Sequence, residues 1–479
     1  MPEENEDPTK LLKLVELAQK KASYFKDLES RAFAKIKFTD HYELYPLRSV
    51  SFENWLSSIN YLNFIEVPPS KLKSDALLHL EGITRLYGKT HEAGLRVMGN
   101  EEFIEIDLGG PDWRSVYITK DGWKVGKHKN YFYRSRAMQS LPRPSKQKIA
   151  QDWIQTNLNI QGDQQSMLIM GWLIGCFMPL GPNPLLVIHG EQGSGKSLLA
   201  SMIRSLVDPA KADKTSLPSS ERDLYVQAQN NYVLSFDNQR TLYKKHSDWL
   251  CRMATGGGYS TRRLYTNTEE EVFSMIRPII LNGITQVAEQ PDLIDRSIFI
   301  NMPVINPQER RSEREIFGSL DKLKPKIFGK ICDSLVSILG KDDKENDNLP
   351  RMADFAKFVS RAEEVLEWEN GSFIDAMNKN RQEALEELNE YDPLLNSIMA
   401  LSRQNKRYAK VFFGTPAELF NRLMEYMPEK YSKSGFPDSP ATLSKKLNGL
   451  KPVLRELGIE VIDKKSRGKR LKRIEWMDK

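Results

Sequence analysis

The sequence predicts an α/β protein built on a parallel sheet, with an α+β domain before that core and a small basic domain after it. Three observations predict it. Between about 150 and 305, the apolar segments "PLLVIH", "YVLSF", "RPIILNGI" and "SIFINMPV" lack strong alternation and are separated by helical patterns, as strands covered on both faces are. A glycine-rich loop joins the first of them to a helical stretch. Further on, a leucine-striped helix runs into a basic strand–turn–strand.

At 479 residues with 40% apolar content, the chain suggests two to four folded domains rather than disorder. The net charge of +6 permits a nucleic-acid partner without requiring one. Cys176, Cys251 and Cys332 are too far apart for a disulfide framework or a zinc site, which fits a reducing cytoplasm. The acidic start "MPEENEDPTK" lacks the layout of a secretory signal. "MLIMGWLIGCFMPL" at 167–180 falls short of the roughly 18–20 residues needed to span a bilayer, so it reads as a buried helix and no membrane is expected.

Residues 1–140 combine a helical start with "EEFIEIDLGG" and "SVYITKDGWKVG", which alternate as strands and place a hairpin turn at Asp121-Gly122. "SLPRPSKQK" at 140–148 reads as a linker. The core is expected over 150–305, a helical lid and connector over 306–400 with a solvated break at 340–350, and the basic domain over 405–479.

The strongest signal is Gly190-Glu191-Gln192-Gly193-Ser194-Gly195-Lys196-Ser197, which fits G-x-x-x-x-G-K-[ST] with a strand before it and a helix from Leu198 onward. In such a P-loop the glycines let backbone N–H groups close round phosphates, the lysine reaches the β- and γ-phosphates of ATP, and the serine hydroxyl ligates Mg2+. About 40 residues on, "NYVLSFD" supplies Asp237 as the second magnesium ligand. Asn238 follows, where a water-activating glutamate is usual; an amide holds a water by hydrogen bonds but cannot act as a base. Glu221 and Asp223 are alternative carboxylates for that work. Asn282, at the end of "PIILNGI", reads either as a γ-phosphate or water contact or as a turn former. Arg296 in "QPDLIDRSIFI" reads either as an arginine finger toward a neighbouring subunit or as an ion-pair partner of Asp292 or Asp295.

Between the second and third strands, "ATGGGYSTRRLYTNTEEEVFSM" reads as a hairpin, with Arg262, Arg263 and Tyr265 assigned to phosphate contact and base stacking. Its expected tip, Thr266-Asn267-Thr268, has no lysine, and Glu269 to Glu271 would repel phosphate. In the last domain, Thr415, Pro416 and Glu418 form a helix start with a capping box. A second helix carries Leu443, Leu447, Leu450, Leu454 and Leu457 on one stripe, with Pro452 able to divide it. Lys464, Lys465, Arg467, Lys469 and Arg470 then lie on a two-stranded wing, the pattern of a DNA-binding winged helix.

On these motifs, taken with "NPQERRSEREIFGSL" and "LPRMADFAKF", residues 150–400 resemble the AAA+ replicative helicases of phages and mobile genetic elements, related to the superfamily 3 and minichromosome-maintenance-like groups. "YPLRS" and "IDLGGPDWRSVYITKDGW" resemble the leading domain of such proteins. The resemblance implies an AAA+ P-loop core with a collar or DNA-binding domain ahead of it. It further implies an ATP- and Mg2+-dependent DNA helicase acting as a homo-oligomeric, hexameric ring on single-stranded or forked DNA, with 3′-to-5′ polarity. It makes Asn238 a group trait and Asn282 the residue called sensor 1. A second class of function is an initiator or loader that uses ATP to assemble on DNA, and a defence or transposition ATPase shares the same core. Asp107 is the lone acid in the first domain that a primase set could use; a structural turn is the simpler reading.

Overall fold

The computed structural model describes residues 8–179, 181–239, 242–262, 270–273, 275–283, 290–343, 348–405, 411–427, 436–466 and 469–476. Its central sheet has four strands in the order Leu234–Gln239, Ile279–Gly283, Leu185–Gly190, Ser297–Met302, every neighbouring pair parallel. The apolar strands do not alternate because both faces are covered. Leu186 and Ile188 belong to one apolar cluster, with Leu199 and Ile203 of the helix Lys196–Val207, whereas Leu185 and Val187 belong to another, with Leu224 and Leu250 of the helices Glu221–Asn230 and Lys244–Thr255. A chain pleated with period two needs apolar residues at every position when both of its faces are covered.

The apolar run at 167–180 begins as the helix Asp163–Gly175, buried from Leu168 to Gly175. It packs on Ala353–Ser360 and Ser372–Tyr391, and glycine is required at two of the crossings. A Cβ on Gly171 would lie 2.2 Å from the Phe373 ring, and one on Gly175 would lie 2.0 Å from that of Phe355. Among the described residues, no helix is long and apolar enough to cross a membrane.

Among the described residues the first domain holds a short parallel pair, Ala93–Gly94 with Tyr131–Phe132, and two four-stranded sheets. One runs Tyr42–Pro46, Ala32–Lys37, Ala22–Lys26, Lys89–Thr90 and is covered by the helices Pro8–Lys21, Val50–Phe64 and Ser70–Tyr87. The other is an antiparallel meander from Val97 to Lys127. Its last turn sits one residue earlier than expected: Thr119 pairs with Gly122, so Lys120 and Asp121 form the loop and Gly122 opens the strand.

The 140–148 segment is laid against the rest of the molecule. Leu141 N–H donates to the Leu108 carbonyl at 2.8 Å and Ser145 N–H to that of Pro325 at 2.8 Å. A Cβ on Gly329 would lie 1.8 Å from the Ser145 carbonyl oxygen, so the crossing helix needs glycine there. Arg96 and Asp208 form a buried ion pair at 2.9 Å between the first domain and the core.

Asp107 is fully buried and accepts from Arg134 Nη2 at 2.6 Å and Nε at 2.8 Å, from Gly109 N–H at 3.1 Å, and lies 3.0 Å from His128 Nε2. It therefore ties a loop together, the structural alternative for this residue. Burial alone would raise its pKa, but the bonds from His128 and Arg134 outweigh burial and hold the carboxyl well below the usual range. Because the folded pKa is depressed, this stabilisation is present above the unfolded value near about 4 and is lost as pH falls toward the folded one. Arg134→Ala is expected to destabilise the first domain by about 3–5 kcal/mol at neutral pH. The loss should shrink in denaturant titrations carried out at progressively lower pH; a loss independent of pH would remove Asp107 as its cause.

In the last domain, Thr415 and Glu418 form both halves of the capping box. The helix Pro440–Glu456 is continuous through position 452. Leu443, Leu447, Leu450 and Leu454 are buried, and Leu457 lies just past the helix end, half-buried. The hairpin Ile459–Ser466/Lys469–Trp476 is joined on its far edge by Val411–Gly414.

Candidate phosphate-loop site

The loop after Leu185–Gly190 needs glycine for geometric reasons. Gly190, Gly193 and Gly195 have φ of 147°, 86° and 87°, and a Cβ on Gly190 would lie 2.5 Å from the Met302 carbonyl oxygen. The helix Lys196–Val207 begins directly after it, so its unsatisfied N–H groups face the loop. Lys196 Nζ donates to the carbonyls of Gly190 at 2.8 Å and Glu191 at 2.7 Å. Burial holds the Lys196 ammonium below the usual lysine range, partly offset by the charge of Asp237. Ser197 Oγ donates to Asp237 Oδ1 at 2.8 Å, bringing together two oxygens 40 residues apart in the chain.

Asn238 stands in the left-handed region, φ 55°, where the register between its strand and Ile279–Gly283 shifts. Asparagine tolerates that conformation better than glutamate does, which is a local reason for the residue found here. Its N–H donates to Asn282 Oδ1 at 2.9 Å. Asn282 is 1% exposed, and its Nδ2 has no partner among the described residues. Both asparagines, Asp237 and the loop from Gln192 through Leu198 line one cavity of about 1110 Å3. A buried amide donor left open at such a wall is costly unless a ligand or water meets it. Asn238→Ala is expected to cost about 1 kcal/mol in chemical denaturation, and Asn238→Gly much less, because only the former incurs the left-handed penalty.

Several lining residues carry no local sequence signal. Asn159 Nδ2 donates to the Ser194 carbonyl at 3.1 Å and to that of Pro303 at 2.6 Å, clamping the loop against the segment after the last core strand. Exposed Arg310 reaches over Gly193, its Nη2 3.5 Å from where a Cβ would be, with Arg311 beside it in the lining. Their sequence signal is only a run of charge.

Other expected residues fall elsewhere. Arg296 does not line the cavity; it pairs with Asp292, donating also to the Asp292 carbonyl at 2.9 Å, while Asp295 is engaged by Arg381 at 2.7 Å. The structure does not bring Glu221 or Asp223 to the site: Glu221 accepts from Arg252 Nε at 3.1 Å and Asp223 from the Ser220 hydroxyl at 2.6 Å. Among the described residues, the acids lining the cavity are Asp237, Glu309 and Glu313.

The expected hairpin has strands Tyr259–Arg262 and Glu270–Phe273, with Arg262 paired to Glu270 in register. Its base is anchored by Tyr259 stacked on Tyr225 at 5.1 Å. Arg263, Tyr265, the expected tip Thr266–Thr268 and Glu269 lie outside the described residues. On the basic hairpin, Lys464, Lys465 and Arg470 are exposed, Lys469 begins the second strand, and Arg467 lies outside the described residues. Lys451 and Lys472 pair with Asp463 at 2.7 and 2.5 Å, so these two bases are engaged within the domain.

Residues 152–377 match the family model of the actinomycete integrative conjugative element replication protein, and residues 394–479 match the model of the C-terminal domain of that protein. Across these two stretches the chain belongs to this family of mobile-element replication proteins. Among solved structures it is similar to the A-form apo structure of the NrS-1 C-terminal region, at 13% identity over 99% of this chain and 100% of that one, with a TM-score of 0.40. A second apo structure of that region is 14% identical over the same shares, with a TM-score of 0.40. A JCV helicase bound to a thiazolopyridine compound is 15% identical over 47% of this chain and 66% of that one, with a TM-score of 0.23. No curated protein matches the chain.

Proposed function

We propose that the protein is an ATP-dependent DNA helicase of the AAA+ class that works as a ring, a hexamer, in replicating a mobile element. The observation that carries this reading is the convergence of Lys196, the Ser197–Asp237 pair and the open amide of Asn282 on one cavity. A hydroxyl and a carboxylate are hard oxygen ligands of the kind Mg2+ takes while keeping several waters, so they fit the ion and would hold it between them. When bound, Mg2+ neutralises charge on the phosphates of ATP. The two loop carbonyls that now accept from Lys196 would yield it to phosphate oxygens. Asn282 Nδ2 supplies a preorganised donor for the γ-phosphate or the attacking water, and Asn238 holds water by its amide. Arg310, above the loop, adds positive charge on the open side.

The sheet order supports the AAA+ assignment, since the loop strand lies between the Asn282 strand and the strand following Arg296. The two helices and basic hairpin of the last domain support a winged helix, with Lys464, Lys465 and Arg470 free to meet phosphates. The hairpin based on Tyr259 would contact the strand in the pore through Arg262, Arg263 and Tyr265.

The test is strand displacement on a forked DNA with ATP and magnesium, wild type beside Lys196→Ala. Displacement by the wild type alone is expected. A wild type that binds the fork and hydrolyses ATP but separates no strands would replace this reading with that of an initiator or loader switch.

A further inference from the structure

A second cavity, of about 510 Å3, opens in the first domain between the turn joining Ala32–Lys37 to Tyr42–Pro46 and the segment 127–132. The turn is closed by Phe38 N–H donating to the His41 carbonyl at 2.9 Å. Three rings then lie nearly parallel in a column: Phe38 on His41 at 5.4 Å and 8°, and His41 on Trp113 at 5.8 Å and 13°. The Arg134 guanidinium stacks on Trp113 at 3.7 Å from the ring centroid. Trp113 is buried and has φ 48°, a conformation that bulky residues rarely adopt, so the surrounding structure must hold it in place. At the other end of the column, Phe38 is 38% exposed. A column of flat groups that ends in an exposed ring is a platform on which one more flat group can stack.

The charge around it suits an anion. Lys35, Lys37, Lys127 and Lys129 line the cavity, and none has an ion-pair partner among the described residues. Lys35 Nζ lies 4.5 Å above the ring of Tyr42, itself 51% exposed. The lining acids are engaged: His41 sits 2.8 Å from Asp40 and 3.0 Å from Glu43. Lys35 also lies 4.8 Å from the centre of the Tyr131 ring and Lys129 Nζ 3.5 Å from that of Tyr117, and aromatic faces interleaved with lysines are the chemistry that receives a base and its phosphate.

We propose that this cavity binds a nucleotide unit of single-stranded DNA, with the base on the Phe38–His41–Trp113 column and the phosphate on the lysines. That the unit comes from a DNA strand rests on the proposed function; the nucleotide chemistry of the cavity does not. The site is separate from the phosphate loop, and its occupancy needs no ATP.

The test is photo-cross-linking of the full chain, carrying Lys196→Ala and without ATP, to a single-stranded oligonucleotide containing 5-iododeoxyuridine, with the attached peptides mapped by mass spectrometry. Cross-links at Phe38 or Tyr42 are expected. Phe38→Ala, an exposed position, should lower their yield about tenfold, the effect of losing one base stack, and Phe38→Tyr should restore it. Excess thymidine monophosphate that abolishes the cross-link would keep the nucleotide chemistry and overturn the strand; failure to compete supports the strand. Cross-links confined to the hairpin or the wing, with Phe38→Ala unchanged, would overturn the site altogether. Because ATP takes no part, failure to unwind a fork leaves this result unaffected.

Discussion

Replacing Lys196 with alanine is expected to abolish ATP turnover while leaving the fold intact. In the structure, the Lys196 ammonium bonds the Gly190 and Glu191 carbonyls and lies 3.4 Å from the Ser194 hydroxyl, all within its own loop. The apolar clusters that hold the core sheet do not depend on it. Its removal takes a donor from where charge develops on the phosphates, a loss on the order of a hundred- to a thousandfold in rate for one such donor. Steady-state phosphate release measured beside a thermal melt separates the two effects. Turnover retained in a folded variant would sink the phosphate-loop reading, and lost turnover with a lowered melting point would make Lys196 structural.

Arg296→Ala is the second large effect, on the order of a thousandfold in ATP turnover, and it is expected only in assembled protein. Within one chain Arg296 is held by Asp292 at the start of the last core strand and is absent from the cavity lining. It therefore cannot serve its own loop from this position, and a role in hydrolysis requires a neighbour's. Mixing Arg296→Ala with Lys196→Ala subunits should restore part of the activity, because some boundaries then join an intact lysine to an intact arginine. If Arg296→Ala hydrolyses ATP at the wild-type rate on DNA, the ion pair with Asp292 is its whole role.

The features legible in the sequence are those whose physics is local. A left-handed turn admits glycine, so the Gly190–Ser197 spacing exposes the loop; a helix start admits Thr415 with Glu418, so the cap is visible three residues away. Length set against bilayer thickness marked 167–180 as internal, and the basic hairpin Ile459–Ser466/Lys469–Trp476 followed from alternation and base content. Even there, one residue of register escaped, because Gly122 can either close a turn or open a strand and only pairing with Thr119 decides.

What the tertiary structure decided are contacts between residues far apart in the chain. The Asn238 N–H meets Asn282 across 44 positions, and nothing local indicates that one asparagine would occupy a left-handed bulge while the other keeps a buried, unpartnered amide nitrogen in a residue of the cavity wall. Glu221 and Asp223 stand near the Asp237 strand in sequence, but Arg252 and Ser220 engage them elsewhere. Arg310 comes over Gly193 only because the last core strand lies beside the loop strand. The proline-rich 140–148 segment resembles a free linker by composition, but it lies along the surface, held by Leu141 on Leu108 and by Ser145 on Pro325 and Gly329, from a helix almost 200 residues away. Backbone preference is written residue by residue, so the sequence by itself determined the elements and the loop. Which polar groups end up paired depends on surfaces that meet only when the whole chain has folded.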